Sequence, residues 1–194
     1  MVHITTRPVL EMLLKGCLHT HTTCSDGKMT PQDVADAYQE RGYDFIAFTD
    51  HDYLLKPDYL DVYSRVKTEM IVFNGIELTV FVKGYLHISR ISGENDELYI
   101  LNHLGEYGLV MDQIHDRLNA VSQMYPLDAV EITSKGYRHS EYEIPEIRYP
   151  KIASDDLHAI VGIGRAWVEV DALRRDRDSI IKAVKQGDFW NCYI

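Results

Sequence analysis

Two histidines separated by a single residue open the part of the sequence that can do chemistry. His19 and His21 follow an apolar run, and Asp26 comes five residues later, directly before Gly27. Residues i and i+2 of an extended strand project to the same side, so both imidazoles can meet one metal ion. The segment can also be interpreted as a polar strand end followed by an Asp-Gly turn, which needs no ion.

Other ligand-competent residues also follow or lie within apolar stretches. They are His51, Glu77, His87, His103, Asp156 and His158. An ionisable side chain that is buried without a partner is costly, and a metal ion or a hydrogen-bonded neighbour would satisfy it. A single histidine among apolar residues, such as His87 or His103, is more often packed in the core than bound to a metal. The placement of these two among the other candidates favours metal binding.

Three aspartates beside these candidates are expected to have different roles. Asp50 and Asp52 flank His51, and we expect them to orient its imidazole through hydrogen bonds. Alternatively, Asp52 caps the segment that follows. Asp155 is a weaker ligand candidate than Asp156, because Asp156 stands two residues before the next histidine and projects to the same side.

Short apolar runs alternate with amphipathic stretches, which predicts strands alternating with helices. The predicted strands cover residues 15–19, 44–48, 70–76, 98–102, 129–133, 151–154 and 166–170. The predicted helices cover residues 32–41, 57–69, 109–124 and 173–186. This order favours parallel βα units in a compact, closed or nearly closed α/β barrel, and an open doubly wound sheet fits the pattern too. In either fold the residues that follow the strands gather at one rim.

The length and composition of the chain are typical of one globular domain. It has 194 residues, 45% of them apolar and 26% charged, and we interpret residues 1–194 as a single domain with residues 1–14 as an N-terminal extension. The net charge of −10 argues against a large surface for duplex nucleic acid. The three cysteines have no CxxC spacing, and no signal peptide or membrane span is evident. We therefore expect a cytoplasmic protein that does not associate with membranes.

Four motifs of the sequence resemble, in their order, those of the PHP (polymerase and histidinol phosphatase) superfamily. They are HTHTTCSDG, FTDHD, GIEL and SDDLH, with His87 and His103 between the last two. The resemblance covers residues 19–171 and implies a compact distorted (β/α)7 barrel with a metal site at its mouth. Asp26 stands where other members carry a third histidine, which is similar to the stand-alone metal-dependent phosphoesterase branch.

The same resemblance implies how the candidate residues divide among three metal ions. The first ion would be bound by His19, His21, Glu77 and Asp156. The second would be bound by Glu77, as a bridge, together with His87 and His103. The third would be bound by Asp26, His51 and His158.

One segment departs from the family pattern. His103 is followed by Leu104 and Gly105, where many members have a proline. Family members of the nucleotide phosphatase type also carry a large insertion before this histidine, and this chain has almost none. The resemblance therefore leaves open whether this chain has a substrate lid.

The mixed set of imidazoles and carboxylates suits manganese, zinc or iron(II) better than it suits calcium or magnesium. Two or three such ions per chain would lower the pKa of bound water and supply hydroxide for attack on phosphorus. Cys24 and Ser25 lie beside the candidate ligands but have no separate base to activate them. No nucleophilic side chain is therefore expected.

Five basic residues are candidates for binding the phosphate of a substrate: Arg165, His139, Arg138, Lys28 and Lys135. Arg165 and His139 are the stronger candidates, and Arg165 can bind a phosphate bidentately. The alternative for each is an exposed residue that keeps the surface soluble. The tyrosine-rich stretch 136–149 is expected either to line a pocket for a planar group or to pack in the core.

Three functional hypotheses follow. The first is a metal-dependent phosphoesterase that hydrolyses a small phosphorylated metabolite or nucleotide. The second is a phosphodiesterase or exonuclease that acts on short oligonucleotides, chemistry that the same metal cluster supports. The third is a non-catalytic metal-binding module that serves a partner. The complete set of ligands argues against the third, and the acidic composition favours the first over the second.

Overall fold

The computed structural model describes residues 12–194. Residues 1–11, which form most of the N-terminal extension predicted for residues 1–14, lie outside the described residues. Residues 12–14 belong to the first strand, in which Met12 pairs with Ala172 and Leu14 pairs with Val170. The strand therefore begins earlier than the predicted residues 15–19.

The described residues form eleven strands and four α-helices. The strands are β1 (Met12–Thr20), β2 (Phe45–Phe48), β3 (Ile71–Phe81), β4 (Tyr85–Ser92), β5 (Glu97–Leu101), β6 (Ala129–Glu131), β7 (Thr133–Ser134), β8 (Tyr137–Arg138), β9 (Lys151–Ile152), β10 (Ala166–Ala172) and β11 (Phe189–Tyr193). The helices are α1 (Pro31–Gln39), α2 (Tyr59–Ser64), α3 (Met111–Ser122) and α4 (Arg177–Gln186). No helix in residues 12–194 is long and apolar enough to cross a membrane.

Nine of the strands form one sheet in the order β11-β10-β1-β2-β3-β4-β5-β6-β9, and β7 pairs with β8 alone. Asn191 of β11 links the two edges of this sheet. Its side chain accepts a hydrogen bond from the amide of Ala153 at 2.8 Å and donates one to the carbonyl of Lys151 in β9 at 2.7 Å. The sheet is thus a nearly closed barrel, and the predicted α/β barrel is confirmed.

The sheet is mixed, whereas the sequence pattern favoured parallel units throughout. Strands β1, β2 and β3 run parallel, and so do β5, β6 and β9. Strands β4 and β11, which were not predicted, run antiparallel to their neighbours, and β10 runs antiparallel to β1. Strand β4 folds back on β3 because Lys83 and Gly84 take positive φ values of 54° and 127°, as a tight hairpin loop requires.

The helices pack on the sheet and hold the strand ends that carry the candidate ligands. Helix α1 begins after Thr30, whose hydroxyl forms a reciprocal capping box with Asp33, and Pro31 occupies its first turn. Its apolar side, including Val34 and Tyr38, packs with buried residues of β1 and β2. Helices α3 and α4 pack in the same way against other parts of the sheet. The loops between β1, α1 and β2 are therefore anchored at both ends.

Candidate metal centre

All nine candidate ligands lie close together at one end of the barrel. Seven of them follow strands: His19 and His21 at the end of β1, Asp26 in the next loop, His51 after β2, His103 after β5, and Asp156 with His158 after β9. The remaining two, Glu77 and His87, lie within the long antiparallel strands β3 and β4. Strand ends that are far apart in the sequence therefore meet at one rim, as predicted.

Glu77 stands at the centre of this group. Its carboxylate is fully buried and has five histidines around it. The distances from its oxygens are 2.9 Å to His51 Nδ1, 3.1 Å to His103 Nε2, 3.3 Å to His21 Nε2, 3.3 Å to His87 Nδ1 and 3.4 Å to His19 Nε2. The side-chain amide of Asn102 also donates to Oε1 at 2.7 Å. No other carboxylate of the described centre is in contact with so many histidines.

The donor set fits divalent cations. Two carboxylate oxygens offer about four lone-pair sites, fewer than the donors that surround Glu77. Moreover, Glu77 Oε2 and His51 Nδ1 lie 2.9 Å apart, yet neither atom has a hydrogen-bond partner although both are buried. Buried polar atoms are normally satisfied, and each exception requires an explanation. Ions held between the carboxylate and the imidazoles would satisfy these atoms.

Three groups of residues bring their ligand atoms close enough to share an ion. They are His19 with His21 and Asp156; His51 with Glu77 and His87; and His21 with Asp26, His51 and His158. The first and third groups contain most of the residues assigned by resemblance to the first and third ions. His103 joins the second group through contacts of 3.1 Å with Glu77 and 3.3 Å with His87. The assignment of each ligand to an ion stays a prediction.

The surroundings favour an ionised Glu77 and a protonated His21 in the metal-free protein. Burial alone would raise the pKa of Glu77, but the charge on His19 and several hydrogen bonds outweigh it and hold that pKa well below its usual range. Burial alone would lower the pKa of His21, but hydrogen bonds to Asp156 and Glu77 raise it to about 9. Metal binding must displace these protons, since only a deprotonated imidazole is a ligand.

We expect the metal-free protein to lose stability as the pH rises from about 6.5 to 9. The folded-state pKa of His21 lies above its ordinary value of 6.5, so the contribution of its proton is complete below 6.5 and is lost as the pH passes 9. Thermal unfolding of chelator-treated protein across this range measures the effect. Metal-loaded protein is the control, because bound ions replace the proton; an equal decline with and without metal would contradict the prediction.

Glu131 belongs to the centre and was not predicted. It is fully buried, and its Oε2 lies 3.0 Å from His19 Nδ1 and accepts a hydrogen bond from the main-chain amide of His103 at 3.0 Å. Since a carboxylate only accepts, His19 Nδ1 must carry a hydrogen, so the neutral ring presents the lone pair of Nε2 to the cluster. Thr133 and Ser154 donate to the other oxygen, Oε1. The signal in the sequence that could have identified Glu131 is the presence of an acidic residue inside a predicted apolar strand.

We expect Glu131→Gln to weaken metal binding by roughly 10- to 100-fold, as for other groups that orient a metal-bound histidine. The amide removes the charge that holds His19 in one tautomer. Metal titration with a competing chelator measures the affinity. The exposed Glu40 provides a control, and Glu40→Gln should leave the affinity unchanged. An unaltered affinity in Glu131→Gln would contradict the role assigned to this carboxylate.

Asp50 organises the loop after β1, and the expectation that it orients His51 is corrected. Its four hydrogen bonds come from the amide of Thr22 at 2.8 Å, the Thr22 hydroxyl at 2.6 Å, the Ser25 hydroxyl at 2.5 Å and the Tyr63 hydroxyl. None of the four donors belongs to His51. The carboxylate of Asp50 instead shapes the loop after β1, which carries the candidate ligand Asp26.

Asp52 takes neither role considered for it. Its Oδ1 accepts from the amide of Tyr53 at 2.9 Å and from that of Thr79 at 3.2 Å, and not from an imidazole. Asp52 is the first residue of the short 3-10 turn over Asp52–Leu54, whose N-cap is His51 and which has no side-chain cap hydrogen bond. The bond from the amide of Thr79 instead ties this turn to β3.

Two candidate ligands hold unusual backbone conformations. His103 has a φ of 30° and Asp156 a φ of 45°, in the left-handed region that favours glycine. Each such residue costs of order 1–3 kcal/mol and persists where the surroundings determine it. Both side chains point into the cluster, where they contact Glu77 and His21 respectively. Two of the four non-glycine residues with positive φ in the described part of the chain are thus candidate ligands.

Two of the predicted phosphate-binding residues border the cluster. Arg165 and Lys135 line a cavity of about 150 Å³ together with Asp156 and His158. A guanidinium N–H of Arg165 donates to the carbonyl of Lys135 at 3.2 Å, and the group lies 4.9 Å from the centre of the Tyr137 ring. The arginine is thus held beside the ligands by neighbours on β8 and the loop before it.

The other three basic candidates are engaged elsewhere or lie on the surface. Arg138 forms two hydrogen bonds with Glu143, at 2.7 and 2.5 Å. His139 contacts Glu141 at 3.1 Å. Lys28 is exposed, and its main-chain amide donates to the carbonyl of His158 at 2.8 Å. Among the five, Arg165 and Lys135 are the two that line a cavity together with candidate ligands.

Two of the three tyrosines of residues 136–149 take the packing role considered for this stretch. Tyr142 is buried in the core beside α3, and Tyr149 packs against the same core. Tyr137 is exposed, and the guanidinium of Arg165 lies over its ring. A pocket for a planar group formed by these tyrosines stays a prediction.

The sequence model of the PHP domain family matches residues 18–172, which include all nine candidate ligands. The chain belongs to the PHP domain family. It is 44% identical over 113 residues to the DNA polymerase/3'-5' exonuclease PolX of Bacillus subtilis (strain 168). That match covers 55% of this chain and 19% of the polymerase.

Solved structures with the same fold are far more distant in sequence. A two-domain protein of Bacteroides vulgatus ATCC 8482, described as containing a predicted PHP-like metal-dependent phosphoesterase, superposes with a TM-score of 0.72 at 17% identity. The match covers 94% of this chain and 65% of that one. PsfC of Pseudomonas syringae PB-5123 has a TM-score of 0.70 at 12% identity, over 94% of this chain and 92% of its own. These likenesses show the PHP-type barrel.

Proposed function

We propose that this protein is a metal-dependent hydrolase of phosphoric esters. One observation carries the proposal: the buried carboxylate of Glu77 has five imidazoles within 3.4 Å of it. Such a set of nitrogen and oxygen donors suits two or three ions of manganese, zinc or iron. The likeness to a structure described as containing a predicted PHP-like metal-dependent phosphoesterase supports the same class of reaction.

The bound ions would supply Lewis acidity and, from water, hydroxide at neutral pH. The chain itself would hold them through the nine candidate ligands. Glu131 keeps the His19 ring in the tautomer that presents Nε2 to the cluster. The carbonyl of Asp156 does the same for His158, because it lies 3.1 Å from Nδ1 and can only accept. The imidazoles are thus held in place before substrate arrives.

Arg165 and Lys135 would bind the phosphate from the side of the cluster. Their cavity lies next to Asp156 and His158, and both side chains are positively charged. An arginine can donate two parallel hydrogen bonds to a phosphate group, which fixes its orientation as well as its position. The substrate would therefore be held between the ions and these two residues.

We infer that the substrate is a small phosphorylated metabolite or a nucleotide. The net charge of −10 disfavours a long polyanion, since extended contacts with nucleic acid usually need a basic surface. A second candidate is an exonuclease or phosphodiesterase for short oligonucleotides. The 44% identity to the polymerase and 3'-5' exonuclease of Bacillus subtilis favours it. Both candidates use the same cluster and differ in how much of the substrate is bound beyond the phosphate.

The test combines metal analysis with a panel of substrates. Elemental analysis of purified protein should find more than one transition-metal ion per chain. Phosphomonoesters, cyclic diesters and short oligonucleotides are then assayed with manganese, zinc or iron, before and after chelation. We expect hydrolysis that chelation removes and metal restores. His21→Ala should abolish it while the fold is retained.

The outcomes separate the hypotheses. Monoester hydrolysis alone supports the first candidate, and release of mononucleotides from an oligonucleotide supports the second. One ion or none per chain would overturn the cluster. Metal binding without turnover of any ester would instead favour a non-catalytic module that serves a partner.

A further inference from the structure

Two large aromatic side chains lie exposed at the tip of the β3–β4 hairpin. Phe81 is 70% exposed and Tyr85 is 72% exposed. They are direct cross-strand partners, and their rings lie 5.2 Å apart in an edge-to-face arrangement. Burial of such rings is strongly favourable, so a pair left in solvent calls for an explanation.

The pair lies on the same face of the hairpin as the metal centre. Side chains of a strand alternate between faces, so Phe81 shares its face with Glu77, four residues earlier, and Tyr85 shares its face with His87, two residues later. The intervening residues Val80 and Leu86 face the other way and are buried in the core beside α3. The hydrophobic core therefore cannot account for the two exposed rings.

A third exposed ring lies beside the cluster. Tyr53 is 64% exposed, and its ring lies 5.3 Å from that of His51. The turn that carries Tyr53 is tied to β3 by the hydrogen bond from the amide of Thr79 to Asp52. Exposed aromatic rings thus occur both next to a candidate ligand and at the tip of the hairpin that begins with β3.

We propose that Phe81 and Tyr85 form a stacking platform for the nucleobase of a substrate whose phosphate lies on the metal cluster. This inference rests on the proposed phosphoesterase function and names the substrate class as nucleotides. Bases stack on aromatic side chains without regard to their identity, because every base has a π-face. A small sugar phosphate has no such face and would leave the platform unused.

The platform lies a short way along the hairpin from a candidate ligand. Tyr85 is two residues from His87, which corresponds to about 7 Å along an antiparallel strand. We therefore expect the platform to receive the base of the nucleotide whose phosphate lies on the cluster, and not a base further along an oligonucleotide.

Binding to metal-loaded protein tests the platform without relying on turnover. The probes are the phosphonate analogues of adenosine 5'-monophosphate and ribose 5-phosphate, which differ by the base and cannot be hydrolysed. Calorimetry gives their dissociation constants. We expect the analogue with the base to bind tighter by about tenfold or more, the usual effect of one stacked base.

Matched variants identify the residues responsible. Phe81→Leu combined with Tyr85→Leu keeps an apolar hairpin tip and removes both rings. The ratio of the dissociation constants of the two analogues should therefore fall towards one. Tyr85→Phe keeps both rings and should retain the preference. Trp190 is an exposed aromatic residue of β11, outside the hairpin, and Trp190→Leu should leave both constants unchanged.

Hydrolysis supplies the second measurement. The ratio of kcat/KM for adenosine 5'-monophosphate to that for ribose 5-phosphate should fall about tenfold in the double leucine variant. Equal binding of the two analogues by the native protein would overturn the platform even if both esters are hydrolysed. So would a double variant that keeps the preference, or one whose effect is a change of oligomeric state. If no ester is hydrolysed, the proposed function fails, and the binding constants still decide the platform.

Discussion

Glu77→Gln is expected to lower metal-dependent hydrolysis by at least about a thousandfold and to reduce the number of metal ions bound per chain. The carboxylate lies within 3.4 Å of five imidazoles, so its charge is shared by more ligand atoms than any other in the described centre. A loss of several kcal/mol of electrostatic stabilisation corresponds to this change in rate. Elemental analysis and kcat measure the two effects.

The fold should survive this change. Glutamine has nearly the same shape as glutamate, and Asn102 can still bond to the side-chain oxygen that it contacts at 2.7 Å. Circular dichroism and thermal unfolding of the metal-free proteins provide the comparison. Glu94→Gln is the matched control, because Glu94 is exposed on the turn between β4 and β5 and should show native activity and metal content. Native metal content in Glu77→Gln would remove this residue from the ligand set.

Asp155 and Asp156 are neighbours in the sequence, but replacing each of them by asparagine is expected to affect different properties of the protein. Asp156 contacts His21 Nε2 at 3.3 Å and His19 Nε2 at 3.5 Å, both within the cluster. Asp156→Asn should therefore abolish hydrolysis and the rise in unfolding temperature that metal causes. That rise reflects ligand binding to the native state, worth about 2.7 kcal/mol at 100 times the dissociation constant.

Asp155→Asn should instead lower stability while metal still binds. This carboxylate is buried and accepts hydrogen bonds from the Tyr38 hydroxyl at 2.7 Å and from the amides of Gly164 at 2.6 Å and Ala166 at 2.8 Å. An amide NH2 cannot accept, so at least one buried donor loses its partner, at a cost of about 1–3 kcal/mol. Thermal unfolding in the metal-free state measures the loss.

A second variant tests the contact between Asp155 and Tyr38 with a smaller expected loss of stability. Tyr38→Phe removes the hydroxyl that bonds to Asp155 and should cost about 1 kcal/mol, with the metal-induced rise in unfolding temperature retained. This variant keeps the prediction testable if Asp155→Asn does not fold. Loss of the metal effect in either protein would mean that the two aspartates act together at the cluster.

The barrel was largely predictable because most of the predicted strands are nearly continuous apolar runs. All seven predicted strands coincide with strands of the structure, since burial on both faces leaves a local signal. Strand β4 was not predicted because its side chains alternate, with Leu86 and Ile88 in the core and His87 facing the cluster. The alternating pattern of β4 directly follows the apolar end of β3, and it did not indicate that the chain turns back at Lys83 and Gly84. The predicted helix at residues 57–69 shrinks to Tyr59–Ser64 in the structure.

The supporting groups of the centre could not be derived from local spacing. Glu131 lies 112 residues from His19, and their 3.0 Å contact depends on where β1 and β6 stand in the barrel. Asp50 resembles an imidazole partner in the sequence because it adjoins His51, yet its bonds go back to the loop 25–28 residues earlier and to Tyr63. Nearness along the chain is a weak guide to hydrogen-bond partners in a barrel.

The sequence by itself determined which residues are candidate metal ligands, since the spacing of His19 and His21 and the acids and histidines after the strands are local features of the chain. It determined the family for the same reason, because the motifs are contiguous. The tertiary structure decided that Glu77 is central, that Glu131 orients His19, and that Phe81 and Tyr85 share a face with the cluster. Those relations depend on the register between strands that are distant in sequence, and register is set by backbone pairing and core packing over the whole barrel.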